Sequence, residues 1–267
     1  MNGPKASGSP AEQRWWTGPL ESAALLTAVR VPARVGASTR GVLPWAPLVG
    51  LVLGVVATCV AVAGNRFVSP LAGAVLGIAV LALLTRGLHL DGLADTADGL
   101  GPLRARERSL QVMHQGDVGP FGVVTLVLTL LLQVACLAAV LPAGGGWLAL
   151  GSAVLTARLA MARTGLPGVP VAEGSALGRT VAGTVSRLWL GGWTLLTLVL
   201  TAGCALAVMR GADAVRLAVA VLVGLGAAEV LYRRAVARLG GVTGDVMGAM
   251  GEVATTAVLL TAAVLLP

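Results

Sequence analysis

Charge is scarce in this sequence. Only 12% of its 267 residues are Asp, Glu, Lys or Arg, against the roughly one quarter that a soluble domain carries. That scarcity argues against a soluble fold, and with it goes the basic groove on which nucleic-acid binding depends, so no nucleic-acid partner is expected. The excess of nineteen basic over twelve acidic residues therefore needs another explanation. Cysteine is also sparse. Cys59, Cys136 and Cys204 stand far apart in apolar stretches with no partner spacing, which predicts neither a disulfide nor a zinc site but three small buried hydrophobes. The first twenty residues lack the apolar core of a signal peptide; rich in Gly, Pro, Ser and Ala, residues 1–20 read as a disordered cytoplasmic tail.

What the sequence has instead is hydrocarbon, with 56% hydrophobic residues. Apolar runs approaching the ~20 residues needed to cross a bilayer recur at 46–64, 69–88, 121–141, 147–162, 189–209, 217–232 and 250–266. The fold class that follows is all-α: a polytopic membrane helix bundle of about seven transmembrane helices, with residues 21–267 as one integral membrane catalytic domain. The fourth and sixth runs are short or glycine-broken, so one of them is expected to be tilted or re-entrant. Gly191, Gly192, Gly224 and Gly226 read as close helix contacts. Trp15, Trp16, Trp45, Trp147, Trp189 and Trp193 all lie near run ends or outside them, where an amphipathic ring suits the headgroup layer.

Alternating seven spans puts the tail and the segments 91–120, 163–188 and 233–249 on one side of the membrane. Fourteen of the nineteen basic residues fall there, which by the positive-inside rule makes it the cytoplasmic side of the cell's inner (plasma) membrane. Of the twelve acids only Asp213 falls in an outer loop, and Glu229 is the exception at membrane depth. Carboxylates at membrane depth are costly and are kept by cations or by function. The acid-rich loops are thus the expected working face.

Within His89-Leu-Asp-Gly-Leu-Ala-Asp-Thr-Ala-Asp-Gly99, the acids Asp91, Asp95 and Asp98 are spaced i, i+4, i+7 and share one helix face. Stacked like charges repel unless a divalent cation or basic groups neutralise them. Oxygen-only ligands favour a hard ion, Mg²⁺ or Mn²⁺. Gly92 and Gly99 leave room on the neighbouring strip for a substrate or another helix. A second cluster, Gly240-Gly-Val-Thr-Gly-Asp-Val-Met-Gly-Ala-Met-Gly-Glu252, sets Asp245 and Glu252 seven apart, and Asp117 adds a third acidic contribution. Metal, carboxylates and arginines on one face suit transfer between phosphates, where charge neutralisation and in-line positioning do most of the catalysis.

His89 is placed to orient or deprotonate a nucleophile, or to serve as a structural hydrogen-bonding residue. Arg158, inside an apolar run, needs an anion: either a substrate phosphate or a buried acid such as Glu229. Arg86, Asp117, Thr243 and Gly244 join it as candidate substrate contacts. Glu107 and the arginines around it read as a solvated surface helix.

The stretch Thr85-Arg-Gly-Leu-His-Leu-Asp-Gly-Leu-Ala-Asp-Thr-Ala-Asp-Gly-Leu100 resembles the hallmark of the cobalamin synthase family, the adenosylcobinamide-GDP ribazoletransferases. Thr27-Ala-Val-Arg-Val-Pro32, Pro44-Trp-Ala-Pro-Leu-Val-Gly-Leu-Val-Leu-Gly54 and the Leu239–Glu252 stretch follow in the family's order. The resemblance implies an Mg²⁺-dependent membrane transferase that joins adenosylcobinamide-GDP to α-ribazole or its 5′-phosphate, releasing GMP and giving adenosylcobalamin or its 5′-phosphate. Asp91, Asp95 and Asp98, with Asp245 or Glu252, would then hold one or two Mg²⁺ ions on the diphosphate. A homo-oligomer, or a complex with other late corrinoid-pathway enzymes, is compatible with it.

Two places depart from the family's pattern. Gln115-Gly-Asp117 stands where many relatives carry Asp-Ser-Arg, and Val171-Ala-Glu-Gly174 lacks an arginine that often precedes its Glu-Gly, leaving Arg163 or Arg179 as substitutes. Two rivals remain. A CDP-alcohol phosphotransferase uses similar chemistry, but it requires an Ala-Arg shortly after Asp-Gly, where Leu-Gly-Pro-Leu-Arg follows here. A cation-coupled transporter would place its acids near the bilayer midplane rather than at one face.

Overall fold

The computed structural model describes residues 17–32 and 39–266. Lys5, Arg14, Trp15, Trp16 and Arg34, and all of the assigned tail before Thr17, lie outside the described residues. The described residues form eleven α-helices: α1 (Thr17–Leu26), α2 (Val42–Phe67), α3 (Pro70–Leu84), α4 (Leu88–Leu100), α5 (Arg106–Met113), α6 (Pro120–Val140), α7 (Leu148–Ala162), α8 (Ala176–Val181), α9 (Arg187–Val208), α10 (Gly211–Leu239) and α11 (Gly244–Leu265). The last four residues assigned to the tail, 17–20, open α1.

Every one of the seven apolar runs forms a helix. Five of them, α2, α6, α9, α10 and α11, are long and apolar enough to cross a membrane, and α3 with α4 makes a sixth if that bent pair counts as one span. The chain is thus an all-α membrane protein. The remaining run is α7, whose fifteen residues extend only about 22 Å at 1.5 Å per residue. It is buried along almost its whole length, as the central post of the bundle. Neighbours approach it through small residues, Gly54 lying on the backbone of Gly151 and Gly224 facing Thr156, the means by which membrane helices pack without a hydrophobic drive. Leu128, Leu131, Leu195, Val199, Val230 and Val264 point outward and exposed, a surface suited to lipid.

Three expectations need correction. The glycine-broken sixth run is not interrupted: α10 passes straight through Gly224 and Gly226. Of the four span glycines only Gly224 makes a close contact, while Gly191, Gly192 and Gly226 meet no described atom within 4 Å. Cys136 is buried, but Cys59 and Cys204 are exposed on α2 and α9; all three are free. On a helix apolar all round, composition does not say which face turns inward.

The break falls at the end of the second run instead. Between α3 and α4 the chain turns by 89° through Thr85, Arg86 and Gly87. Arg86 and Gly87 both take left-handed backbone, with φ of 56° and 67°. Gly87 adopts this freely, whereas a residue with a Cβ loses about 1–2 kcal/mol there. The Gly87 N–H donates to Ala82 O at 2.7 Å, and the Arg86 guanidinium donates to Leu25 O at 3.2 Å and Ala24 O at 3.5 Å, so α1 holds the elbow. Past it, α4 leaves the direction of α3 and packs against the starts of α6 and α11.

Candidate active site

Two glycines seat α4 on the start of α11. A Cβ at Gly92 would stand 2.7 Å from the Asp245 carbonyl oxygen, and one at Gly248 would stand 3.1 Å from the His89 Cα. Backbone thus meets backbone at both points, and the first acidic motif is locked to the second. Asp91 is exposed while Asp95 and Asp245 are half-buried. Thr243 caps α11, its hydroxyl accepting the Val246 N–H at 3.2 Å and donating to Asp245 Oδ2 at 3.2 Å, which fixes that carboxylate beside α4. Gly244 opens the same helix with its open side toward Leu177.

The electrostatics of the junction follow from this crowding. Burial first, then the charges of Asp91, Asp245 and Asp98, push the Asp95 carboxyl up to about 6, against an opposing pull from His114. Like charges brought together in this way call for a cation. Among the described residues no three acidic, histidine or cysteine side chains converge on a ready-made cage. Mg²⁺ on phosphate substrates takes one or two carboxylates and fills its shell with phosphate oxygens and water, a role for which Asp91, Asp95 and Asp245 have the right oxygen chemistry.

Asp98 shares the helical face but not the environment. It is buried, and its Oδ2 accepts the Gly119 N–H at 2.7 Å. Gly119 and Gly122 bring their backbone so close to this carboxylate that a Cβ at either would collide with it. Asp98 therefore sits at the positive end of α6 and ties α4 to that helix. Gly99 completes the seat on the other side, against the Met113 side chain of α5. Asp117 is exposed in the loop before α6.

Glu252 and His89 do not join the aspartates. With Gln133, Arg158, Thr85 and Thr255 they line a cavity of about 30 Å³ beneath α4, and none of the three α4 aspartates is in its wall. Such a space admits water but not a nucleotide. Gln133 donates to Glu252 at 3.0 Å, and His89 Nε2 and Arg158 Nε are buried with no hydrogen-bond partner among the described residues. The acid that shares this cavity with Arg158 is Glu252, not Glu229, which is held by Arg163 at 3.1 Å and Arg233 at 3.0 Å. Arg163 also stacks over Tyr232, 4.1 Å from the ring centre, and Arg179 lines a separate cleft with Arg40. Arg86 is spent on the α1 carbonyls.

One residue that the sequence did not single out stands at the junction. His114 ends α5, with Met113 before it packed on Gly99 of α4 and its own ring facing Gly174, in the loop bridged to Val242. Nothing in its local spacing pointed there; the only cue was its type, one of two histidines in the chain.

Loops on the same side are pinned together. Val171 and Val242 form a parallel bridge, with Ala172 N–H on Val242 O at 3.1 Å and Val242 N–H on Pro170 O at 3.0 Å. Arg238 donates to Pro102 O at 3.2 Å and Arg104 O at 3.3 Å, holding the segment after α4.

Comparison with known proteins supplies the family. Residues 20–263 match the family described as cobalamin-5-phosphate synthase. A curated protein of Frankia casuarinae named adenosylcobinamide-GDP ribazoletransferase is 39% identical over 241 residues, covering 83% of this chain and 84% of its own. Proteins of the same name from Bradyrhizobium diazoefficiens and a Nocardioides species are 37% and 39% identical, covering 87% of this chain and 86% and 91% of theirs. No solved structure matches.

Proposed function

This chain belongs to the cobalamin-5-phosphate synthase family and is a transferase, and on that premise we propose that it joins adenosylcobinamide-GDP to α-ribazole or its 5′-phosphate at the junction of α4 and α11. The products are GMP and adenosylcobalamin or its 5′-phosphate. The observation that carries this reading is the glycine-seated pairing of Asp91 and Asp95 with Asp245, two acidic motifs from opposite halves of the chain, both inside the matched region.

In the reaction, an alcohol oxygen of the ribazole forms a bond to the phosphorus that carries the corrinoid. The bridging P–O bond breaks and GMP leaves with its electron pair. Asp91, Asp95 and Asp245 would hold Mg²⁺, which when bound neutralises the diphosphate and the departing GMP. The protein's own part is placement. Thr243 fixes the Asp245 carboxylate, Gly92 sets its distance from α4, and Asp98 anchors α4 to α6, so the donors stand ready without reorganisation. Arg104, Arg106 and Arg108 follow α4 directly and draw an anionic substrate toward the face. The same basic bias supports a cytoplasmic site on the inner membrane.

The test is turnover by the purified protein in liposomes given adenosylcobinamide-GDP and α-ribazole phosphate, with Mg²⁺ or with chelator. Equimolar GMP and cobalamin phosphate, formed only with Mg²⁺, are expected. GMP without a cobalamin product would show hydrolysis instead, and no turnover by folded protein would reject the assignment.

A further inference from the structure

Resting on the reaction just proposed, we infer that His114 is the group that takes the proton from the attacking ribazole hydroxyl. The reaction needs such an acceptor, because the alcohol must lose its proton as its oxygen bonds to phosphorus. Carboxylates engaged with a cation are poor candidates for that task, their lone pairs being committed.

His114 has the required form. Its Nδ1 lies 2.6 Å from Leu110 O. A carbonyl oxygen only accepts, so Nδ1 carries the hydrogen, and the other ring nitrogen, Nε2, keeps its lone pair. This is the arrangement in which a backbone carbonyl selects the tautomer of a basic imidazole. The ring is exposed; the residue before it, Met113, packs on Gly99 of α4, and the ring itself faces the 171–174 loop, which is bridged to Val242 just ahead of the Thr243 cap and Asp245, so it stands where the two acidic motifs meet. The residue opposite its Cε1 is Gly174, where an added Cβ would lie 3.8 Å away. Gly174 has a φ of 80° and sits in the loop held by the Val171–Val242 bridge, so the gap in front of the ring is bordered by fixed backbone. The chain's other histidine, His89, is buried in the cavity behind α4 and is closed to an incoming alcohol.

The balance is simple. As the O–P bond forms, the hydroxyl proton moves to His114 Nε2, giving an imidazolium whose Nδ1–H remains on Leu110 O. GMP departs with the electrons of the bridging bond, and the imidazolium returns the proton to solvent, to which it is open.

A purely structural role is also written into the geometry, since Nδ1–H on the carbonyl four residues back caps the end of α5. Two variants separate the roles. The amide nitrogen of His114→Asn stands where Nδ1 stood and keeps the cap, but it offers no base. His114→Ala leaves a space that imidazole from solution can enter. With wild-type membranes assayed alongside, both variants are expected to lose about 10²- to 10⁴-fold in kcat with KM for either substrate little changed. Added imidazole is expected to restore His114→Ala in proportion to its concentration. Turnover by His114→Asn close to wild type, or a loss in His114→Ala that imidazole leaves untouched, overturns the inference. Absence of ribazole-dependent GMP from the wild type would instead reject the underlying reaction.

Discussion

Replacing Gly92 by alanine tests whether catalysis depends on how closely α4 sits on α11. The new methyl would stand 2.7 Å from the Asp245 carbonyl oxygen and 2.9 Å from its Cα. These are backbone atoms of a buried helix start, so they do not swing aside. Reaching the 3.4 Å of ordinary contact requires the helices to part by about 0.7 Å. Overpacking of this kind costs about 1–3 kcal/mol, offset by up to about 1 kcal/mol because alanine favours the helix over glycine. The protein should therefore fold and insert. A separation approaching 1 Å between Asp95 and Asp245 is, by contrast, enough to lower turnover about 10²-fold. The assay is GMP release in liposomes together with thermal unfolding in detergent. Gly248→Ala, whose methyl would meet His89 Cα at 3.1 Å, should give an intermediate loss, and Gly226→Ala, which meets nothing within 4 Å, none. Wild-type turnover from Gly92→Ala would refute the argument that this seat sets the site.

Asp95 and Asp98 should part company on truncation. Asp95→Ala relieves like-charge repulsion and should abolish transfer without lowering the unfolding temperature, whereas Asp98→Ala strands the Gly119 N–H and should cost about 1–3 kcal/mol of stability; equal melting behaviour would contradict the division. With the Asp95 carboxyl at about 6, its charged form dominates above that pH and is lost as pH falls through it. Affinity for Mn²⁺ or Mg²⁺, followed by calorimetry, should accordingly weaken below pH 6 by up to about tenfold per unit for each proton displaced, and affinity unchanged down to pH 5 would speak against Asp95 as a ligand. Arg158→Met should destabilise the fold, because Glu252 loses the cation that shares its small buried cavity, and adding Glu252→Gln should recover part of the loss; additive losses would mean that the two groups are uncoupled.

The helices and the aspartate face were legible because both rest on local periodicity. Seven apolar runs became seven helices, and the i, i+4, i+7 spacing did put three acids on one side of α4. The elbow was not legible. A Gly at 87 permits left-handed backbone, but nothing in an arginine announces a φ of 56°, which depends on carbonyls of α1 some sixty residues away. Asp98 reads as an equal of Asp91 and Asp95 until the fold brings Gly119, twenty-one residues on, to its carboxylate; the paired glycines at 119 and 122 were the one available hint of close approach. The same limit assigned the histidines. His89 is adjacent to the acids in sequence yet turns into the bundle, and His114 is remote yet arrives beside them, because α4 and α5 fold back on each other around Gly99 and Met113. For Arg158 the sequence leaves open a substrate phosphate or a buried acid such as Glu229, and only helix phase sets Glu252 in the same cavity.

The central claim is that the α4 and α11 carboxylates together form one transfer site. The most direct measurement is ribazole-dependent GMP release in Mg²⁺ by liposomes carrying wild type, Asp95→Asn or Asp245→Asn. The account predicts turnover by the wild type alone, with both variants correctly inserted. Wild-type rates from either variant, or GMP released equally without ribazole, would contradict it.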